Sequence, residues 1–209
     1  VAPLLAKIAR SLARDRALPL GARLAKGRRY LAASALARWR LRACDRVGAR
    51  ARVMGRPVVR NAGAITVGDD LILNARHAPC ELAAAPDARL AIGSHAVINF
   101  GTLLHAARAV TIGDRVTIGP YSIVSDADLP DGSDARPVEI GDGVWLAGRV
   151  TVRPGARIGA GTVVAAGSVV VGELPAGVLA GGNPARVLRP LHAPPVALAA
   201  PAPALAVPA

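Results

Sequence analysis

From residue 140 onward a branched aliphatic side chain returns at every sixth position: Ile140, Leu146, Val152, Ile158, Val164 and Val170. Four residues after each stand Val144, Val150, Ala156, Thr162, Ser168 and Leu174, most of them small. Glycine directly follows the lead aliphatic at Gly141 and Gly159. The same frame runs upstream through Val47, Val53 and Val59, then Val67 and Leu73, then Ile92, Ile98 and Leu104, then Ile112, Ile118 and Val124. Short interruptions shift the frame between these blocks.

Six is a multiple of the strand period of two, so extended chain fits it and a helix does not. An ordinary sheet, however, has no need for glycine and small residues at a fixed phase. A chain that turns a corner every six residues does need them. Three sides then make one coil, and each lead aliphatic points inward and stacks on its counterpart about 18 residues on, at a strand spacing of roughly 4.8 Å. A single coil cannot bury its face alone, so the stable unit is a stack. The pattern predicts an all-β fold, a parallel β-helix of about six coils led by 47/53/59, 67/73/82, 92/98/104, 112/118/124, 140/146/152 and 158/164/170. An Ala/Gly/Val-rich sandwich would require the unbroken run from 140 to 170 to be accidental.

Composition agrees with a narrow core, since aromatic residues make up only 2% of the 209 residues. The net charge of +12 is concentrated at one end: residues 1–60 hold 16 Lys/Arg against 2 Asp/Glu. Residues 1–46 form a basic segment with helical spacing at Leu4, Leu5, Ile8 and Leu12, a break at Pro19-Leu20-Gly21, and a second stretch at Leu24, Leu31, Ala35 and Trp39. No nucleic-acid motif accompanies it, so nucleic acid is not an expected partner. A basic helix with one Trp suits an anionic membrane surface; packed on the end of the β-helix it would instead cover exposed strand edges. Residues 191–209 are Pro- and Ala-rich and are expected to be a flexible tail or linker. Lys7, Arg10, Arg14 and Arg16 interrupt any signal-like core, and no apolar run is long enough to span a bilayer. Cys44 and Cys80 have neither redox nor metal spacing. A cytoplasmic chain with two free thiols is the expectation.

The segment "VEIGDGVWLAGRVTVRPGARIGAGTVVAAGSVVVGELPAGVLAGGNPARVLRP" at 138–190 resembles the hexapeptide-repeat acyltransferases. That family includes galactoside and maltose acetyltransferases and capsule or colanic-acid-type sugar acetyltransferases. The phrase "INFGTLLHAARAVTIGDRVTIGPYSIVSDADLP" at 98–130 is similar to the polysaccharide-modifying branch. The resemblance covers residues 47–190. It implies a left-handed β-helix, an exception to the usual crossover hand, and a homotrimer with active sites between subunits. It further implies transfer of an acetyl or similar group from an acyl-CoA donor to a sugar-like or lipid-linked glycan acceptor, without a metal.

On matching positions, Asn99 takes the place of an active-site Asn and Trp145 that of a Trp beside the donor thioester. Gly148 and Ala166 match small corner residues along which the pantetheine arm lies, and Arg186 and Arg189 match basic residues near the CoA phosphates. Small corner residues and an exposed basic end would also arise with no ligand at all. The chain departs from the family where a loop His should act as general base. Aligned from "IGD" at 112–114, that position is Leu129, and no His occurs from 106 to 191. Val171 and Gly172 replace polar residues before "ELP". Three substitutes stay open: His105, expected one rung from the root of the 125–139 loop; the loop carboxylates Asp126 and Asp128; or loss of chemistry, leaving a silent binding or assembly scaffold. The spacing of His77, His95 and His105 does not resemble the three zinc-binding His of β-helical carbonic anhydrases, and His192 lies in the tail.

Overall fold

The computed structural model describes Gly21 and residues 33–129 and 131–191. Within them the chain winds through three sheets in strict rotation. The first sheet contains β1 (Arg46–Val47), β4 (Ala64–Val67), β7 (Arg89–Ile92), β10 (Ala109–Ile112), β13 (Val138–Ile140), β16 (Arg157–Ile158) and β19 (Glu173–Leu174). The second contains β2 (Arg52–Gly55), β5 (Ile72–Ala75), β8 (Val97–Ile98), β11 (Thr117–Ile118), β14 (Trp145–Leu146), β17 (Val163–Val164) and β20 (Val178–Gly182). The third contains β3 (Val58–Asn61), β6 (Glu81–Ala84), β9 (Leu103–Ala106), β12 (Ile123–Ser125), β15 (Thr151–Val152) and β18 (Val169–Val170). All these neighbours pair in parallel, giving a β-solenoid of about seven turns.

The register is the one the repeat requires. Val47, Val67, Ile92, Ile112, Ile140, Ile158 and Leu174 are successive partners on the first sheet. Val53, Leu73, Ile98, Ile118, Leu146, Val164 and Ala180 are partners on the second. Val59, Leu82, Leu104, Val124, Val152 and Val170 are partners on the third. Two details differ from the sequence reading. A seventh, partial turn follows the sixth and ends in β21 (Ala185–Pro190), which folds back antiparallel on β20. Only the step from the fifth to the sixth coil is 18 residues; the last is 16, and earlier ones are longer because their extra residues loop out at corners and leave the ladder in step.

The inward positions are buried, apart from Val47 and Val59 of the first coil, which are partly buried, and none of the described buried core residues is aromatic. The first corner explains the recurring "IGD". Gly48, Gly68, Gly93, Gly113, Gly141 and Gly159 stack there, and a Cβ on Gly93 would lie 2.5 Å from the carbonyl carbon of Gly113. The aspartate that follows catches a backbone amide of the preceding coil: Asp69 Oδ1 accepts from Ala49 N at 2.8 Å, and Asp114 Oδ1 from Ser94 N at 2.7 Å. His95, read as lying on a side, is instead at this corner in the left-handed region, with φ of 60°.

An open solenoid end would expose strand edges. At the first coil it is covered by α1 (Ala37–Arg40), whose Ala37 and the following Leu41 are buried while Arg40 Nη1 donates to Val53 O at 2.6 Å. The helix expected around residues 4–12 and the tail from 192 lie outside the described residues, as does most of the expected second helix.

Candidate functional site

At the second corner, one residue follows each lead position of the second sheet: Met54, Asn74, Asn99, Gly119, Ala147, Ala165 and Gly181. Asn99 is anchored on both sides. Its Nδ2 donates to Ile118 O at 2.9 Å, and its carbonyl accepts from Thr102 Oγ1 at 2.7 Å and Cys80 Sγ at 3.2 Å. An amide NH₂ has two donors, so one N–H of Asn99 stays available. Asn74, one rung away, buries an Oδ1 that has no hydrogen-bond partner among the described residues.

Beside Asn99 the scarce aromatics gather. His77 packs edge-on against Phe100 with ring centroids 5.1 Å apart, and Phe100 against Tyr121 at 5.4 Å. Tyr121 is 49% exposed, and its ring fills the space a Cβ on Gly101 would need. The sequence reading passed over this group. The only Phe and one of just two Tyr in the chain, two and three places beyond lead isoleucines, were the available signal.

Trp145 belongs to a stripe on the outer face of the second sheet. Thr117, Trp145, Val163 and Leu179 are successive register partners, and Leu179 pairs with Arg189. Three strand spacings place Trp145 about 14 Å from the Arg189 backbone. Gly148 and Ala166 stack at the adjoining corner, where Gly167 N donates to Gly148 O at 3.0 Å. Here glycine is not forced by packing: a Cβ on Gly148 would meet Pro120 at 3.5 Å, ordinary contact. Arg186 and Arg189 project from β21, and each guanidinium bonds only a neighbouring carbonyl, Ala185 O at 3.4 Å and Pro190 O at 3.3 Å. Neither has an acidic partner among the described residues.

The third corner carries the base candidates. His105 and Ser125 are register partners, with His105 Nδ1 3.4 Å from Ser125 Oγ. Asp126, read as an exposed loop carboxylate, is fully buried and accepts three backbone amides: Ala107 N at 2.7 Å, Arg108 N at 2.8 Å and Ala109 N at 2.6 Å. It clamps the turn between the third and fourth coils and has little left to offer a substrate. Asp128 is paired with Arg153. Asp134 accepts the amides of Leu129 and Asp128, which holds its carboxyl below the ordinary range, the Leu129 bond contributing most. Leu129 stands half-exposed on this loop. Asn99 and His105 are not brought into contact within one chain: a corner and half of β9 separate them.

The chain is similar to several known proteins. Residues 137–172 match the family described as "Bacterial transferase hexapeptide (six repeats)". Galactoside O-acetyltransferase of Escherichia coli (strain K12) is 35% identical over 109 residues, 48% of this chain and 54% of its own. Nodulation protein L of Rhizobium meliloti (strain 1021) is 42% identical over 106 residues, 47% of this chain and 58% of its own. The chain thus spans a little over half the length of these curated relatives. A hexapeptide-repeat-containing acetyltransferase from Vibrio cholerae O1 biovar eltor, solved with acetyl coenzyme A, is 27% identical with a TM-score of 0.54, over 79% of this chain and 84% of that one. The protein is therefore a hexapeptide-repeat solenoid, and its likeness is to acetyltransferases of that repeat family.

Proposed function

We propose that this protein is an acyl-CoA-dependent acyltransferase that moves an acetyl or similar group to a hydroxyl or amine of a sugar or polysaccharide precursor. The supporting observation is the second-sheet stripe. Trp145, Val163, Leu179 and Arg189 line a track about 14 Å long, bordered by a glycine the fold does not require. Small Gly148 and Ala166 leave backbone groups open to the amides of a pantetheine arm. Arg186 and Arg189, without an acidic partner among the described residues, suit phosphate oxygens at its far end.

In this reading the acceptor oxygen or nitrogen attacks the thioester carbonyl while His105 takes its proton. The free N–H of Asn99 stabilises the oxyanion. Collapse of the adduct breaks the carbon–sulfur bond, and the proton passes from His105 to the leaving CoA thiolate. Because Asn99 and His105 stand apart in one chain, the site is completed between subunits of a homotrimer. A cytoplasmic location suits the donor. Exposed Trp39, with Arg42 5.1 Å over its ring, suits contact with an anionic inner membrane face.

A thiol-release assay with acetyl-CoA and a panel of sugars tests the proposal, turnover being expected. His105→Ala should lower the rate about 100-fold or more; an unaffected rate discards that residue as base. One observation favours a second reading, a catalytically silent binding or assembly scaffold: Leu129 occupies the loop base position. No thiol release across the panel would select it.

A further inference from the structure

Ser125 Oγ stands at the meeting point of three contacts: Ala127 O at 2.7 Å, Ala127 N at 3.3 Å and His105 Nδ1 at 3.4 Å. A serine hydroxyl carries one proton and two lone pairs. A carbonyl oxygen can only accept and a backbone amide can only donate. The shortest contact, to Ala127 O, therefore takes the hydroxyl proton, and the Ala127 amide takes one lone pair. What remains for His105 is the second lone pair, so Nδ1 must be the donor. Turning the hydroxyl toward Nδ1 instead would give up the 2.7 Å bond for the 3.4 Å contact and leave the carbonyl without its partner. A neutral imidazole has only one N–H. With that proton on Nδ1, Nε2 keeps its lone pair, and no described residue occupies it.

We infer that Ser125 is a positioning residue: its hydroxyl, itself tied to Ala127 O, holds neutral His105 in the Nδ1–H tautomer and leaves Nε2 as a proton acceptor. The rung that carries this arrangement is fixed from both sides. His105 and Ser125 are register partners in adjacent strands. The next residue, Asp126, ties the chain leaving β9 to the chain leaving β12 through three amide bonds. In a site lacking a histidine at position 129, this gives the third corner a base of defined tautomer from a different strand. The catalytic meaning of the inference rests on the acyl-transfer reading; the tautomer does not.

The test is a long-range proton–nitrogen correlation spectrum of the full chain labelled with ¹⁵N at histidine, recorded at a pH where imidazole is neutral. The His105 signals are assigned by their loss in His105→Gln. The expected pattern is a protonated Nδ1 and a bare Nε2 in the parent protein. Ser125→Ala should shift His105 toward the Nε2–H form that a free histidine side chain favours in water, and Ser125→Thr, which restores a hydroxyl, should keep the parent pattern. A protonated Nε2 in the parent, or an unchanged pattern in a folded Ser125→Ala, overturns the inference. If Ser125→Ala does not fold, the parent spectrum decides alone. In turnover, Ser125→Ala should lower kcat about tenfold with little change in KM for acetyl-CoA. Since the spectrum needs no substrate, a missing turnover counts against acyl transfer and not against this assignment.

Discussion

Gly93 and Gly148 look alike in the sequence, each following soon after a lead aliphatic, yet the structure asks different things of them. At Gly93 an added methyl would be driven into the backbone of the next coil, which cannot yield without opening the stack. Gly93→Ala should therefore cost about 3 kcal/mol, the upper range for overpacking, measured by urea unfolding. Gly148→Ala should leave the urea midpoint nearly unchanged, because the nearest atom to the added methyl is at contact distance. It should nevertheless weaken acetyl-CoA binding about tenfold or more, about 1.4 kcal/mol, if the pantetheine arm runs over that corner. Spacing alone could show that both corners are small. It could not separate packing from ligand space, because that depends on distances between coils. The two thiols make a similar point. Burial is the main cause pushing both Cys44 and Cys80 up from the ordinary 9.0 to about 11. The unfolded chain therefore gives up these protons first as pH rises, and their contribution to stability, complete below about pH 9, is lost toward pH 11. Alkaline unfolding midpoints should show this, with Cys44→Ala shallower than the parent.

Among the elements, the 126–137 loop was the least legible. It appears in the sequence as an interruption rich in carboxylates, and Asp126 and Asp128 read naturally as solvent-exposed candidates for a base. Only the fold shows that Asp126 reaches back 17–19 residues to the turn at 107–109. Removing it orphans three amides, each costing roughly 1–3 kcal/mol if left unpaired. Asp126→Ala should accordingly destabilise the protein by at least about 3 kcal/mol, and a loss below 1 kcal/mol would contradict the clamp. Asp134 organises the same loop from within. Its carboxyl titrates below the ordinary 3.8, so its contribution is present above that pH and is lost as the pH falls through the lowered value. The lead positions of the first six coils, by contrast, were legible to the residue. A six-residue ladder leaves no freedom of phase when one face is buried, and a one-residue slip would turn every lead aliphatic outward.

For the whole molecule, the periodicity revealed the solenoid but understated its length. The final partial turn is led by Leu174 and Ala180 and closed by an antiparallel strand, so it breaks the six-residue rule just where the stack must end. The two ends differ: α1 covers the first coil and its strand edges, whereas β21 extends the second sheet by one antiparallel strand beyond β20 at the last. What the sequence could only suggest by resemblance is assembly, since Asn99 and His105 sit at separate corners of one chain. The central claim is that the second-sheet track receives an acyl-CoA. Calorimetric titration of acetyl-CoA into the full chain tests it most directly. Saturable binding at one site per chain, weakened by Gly148→Ala and by Arg189→Ala, is the predicted result; no heat of binding at millimolar acetyl-CoA would contradict it.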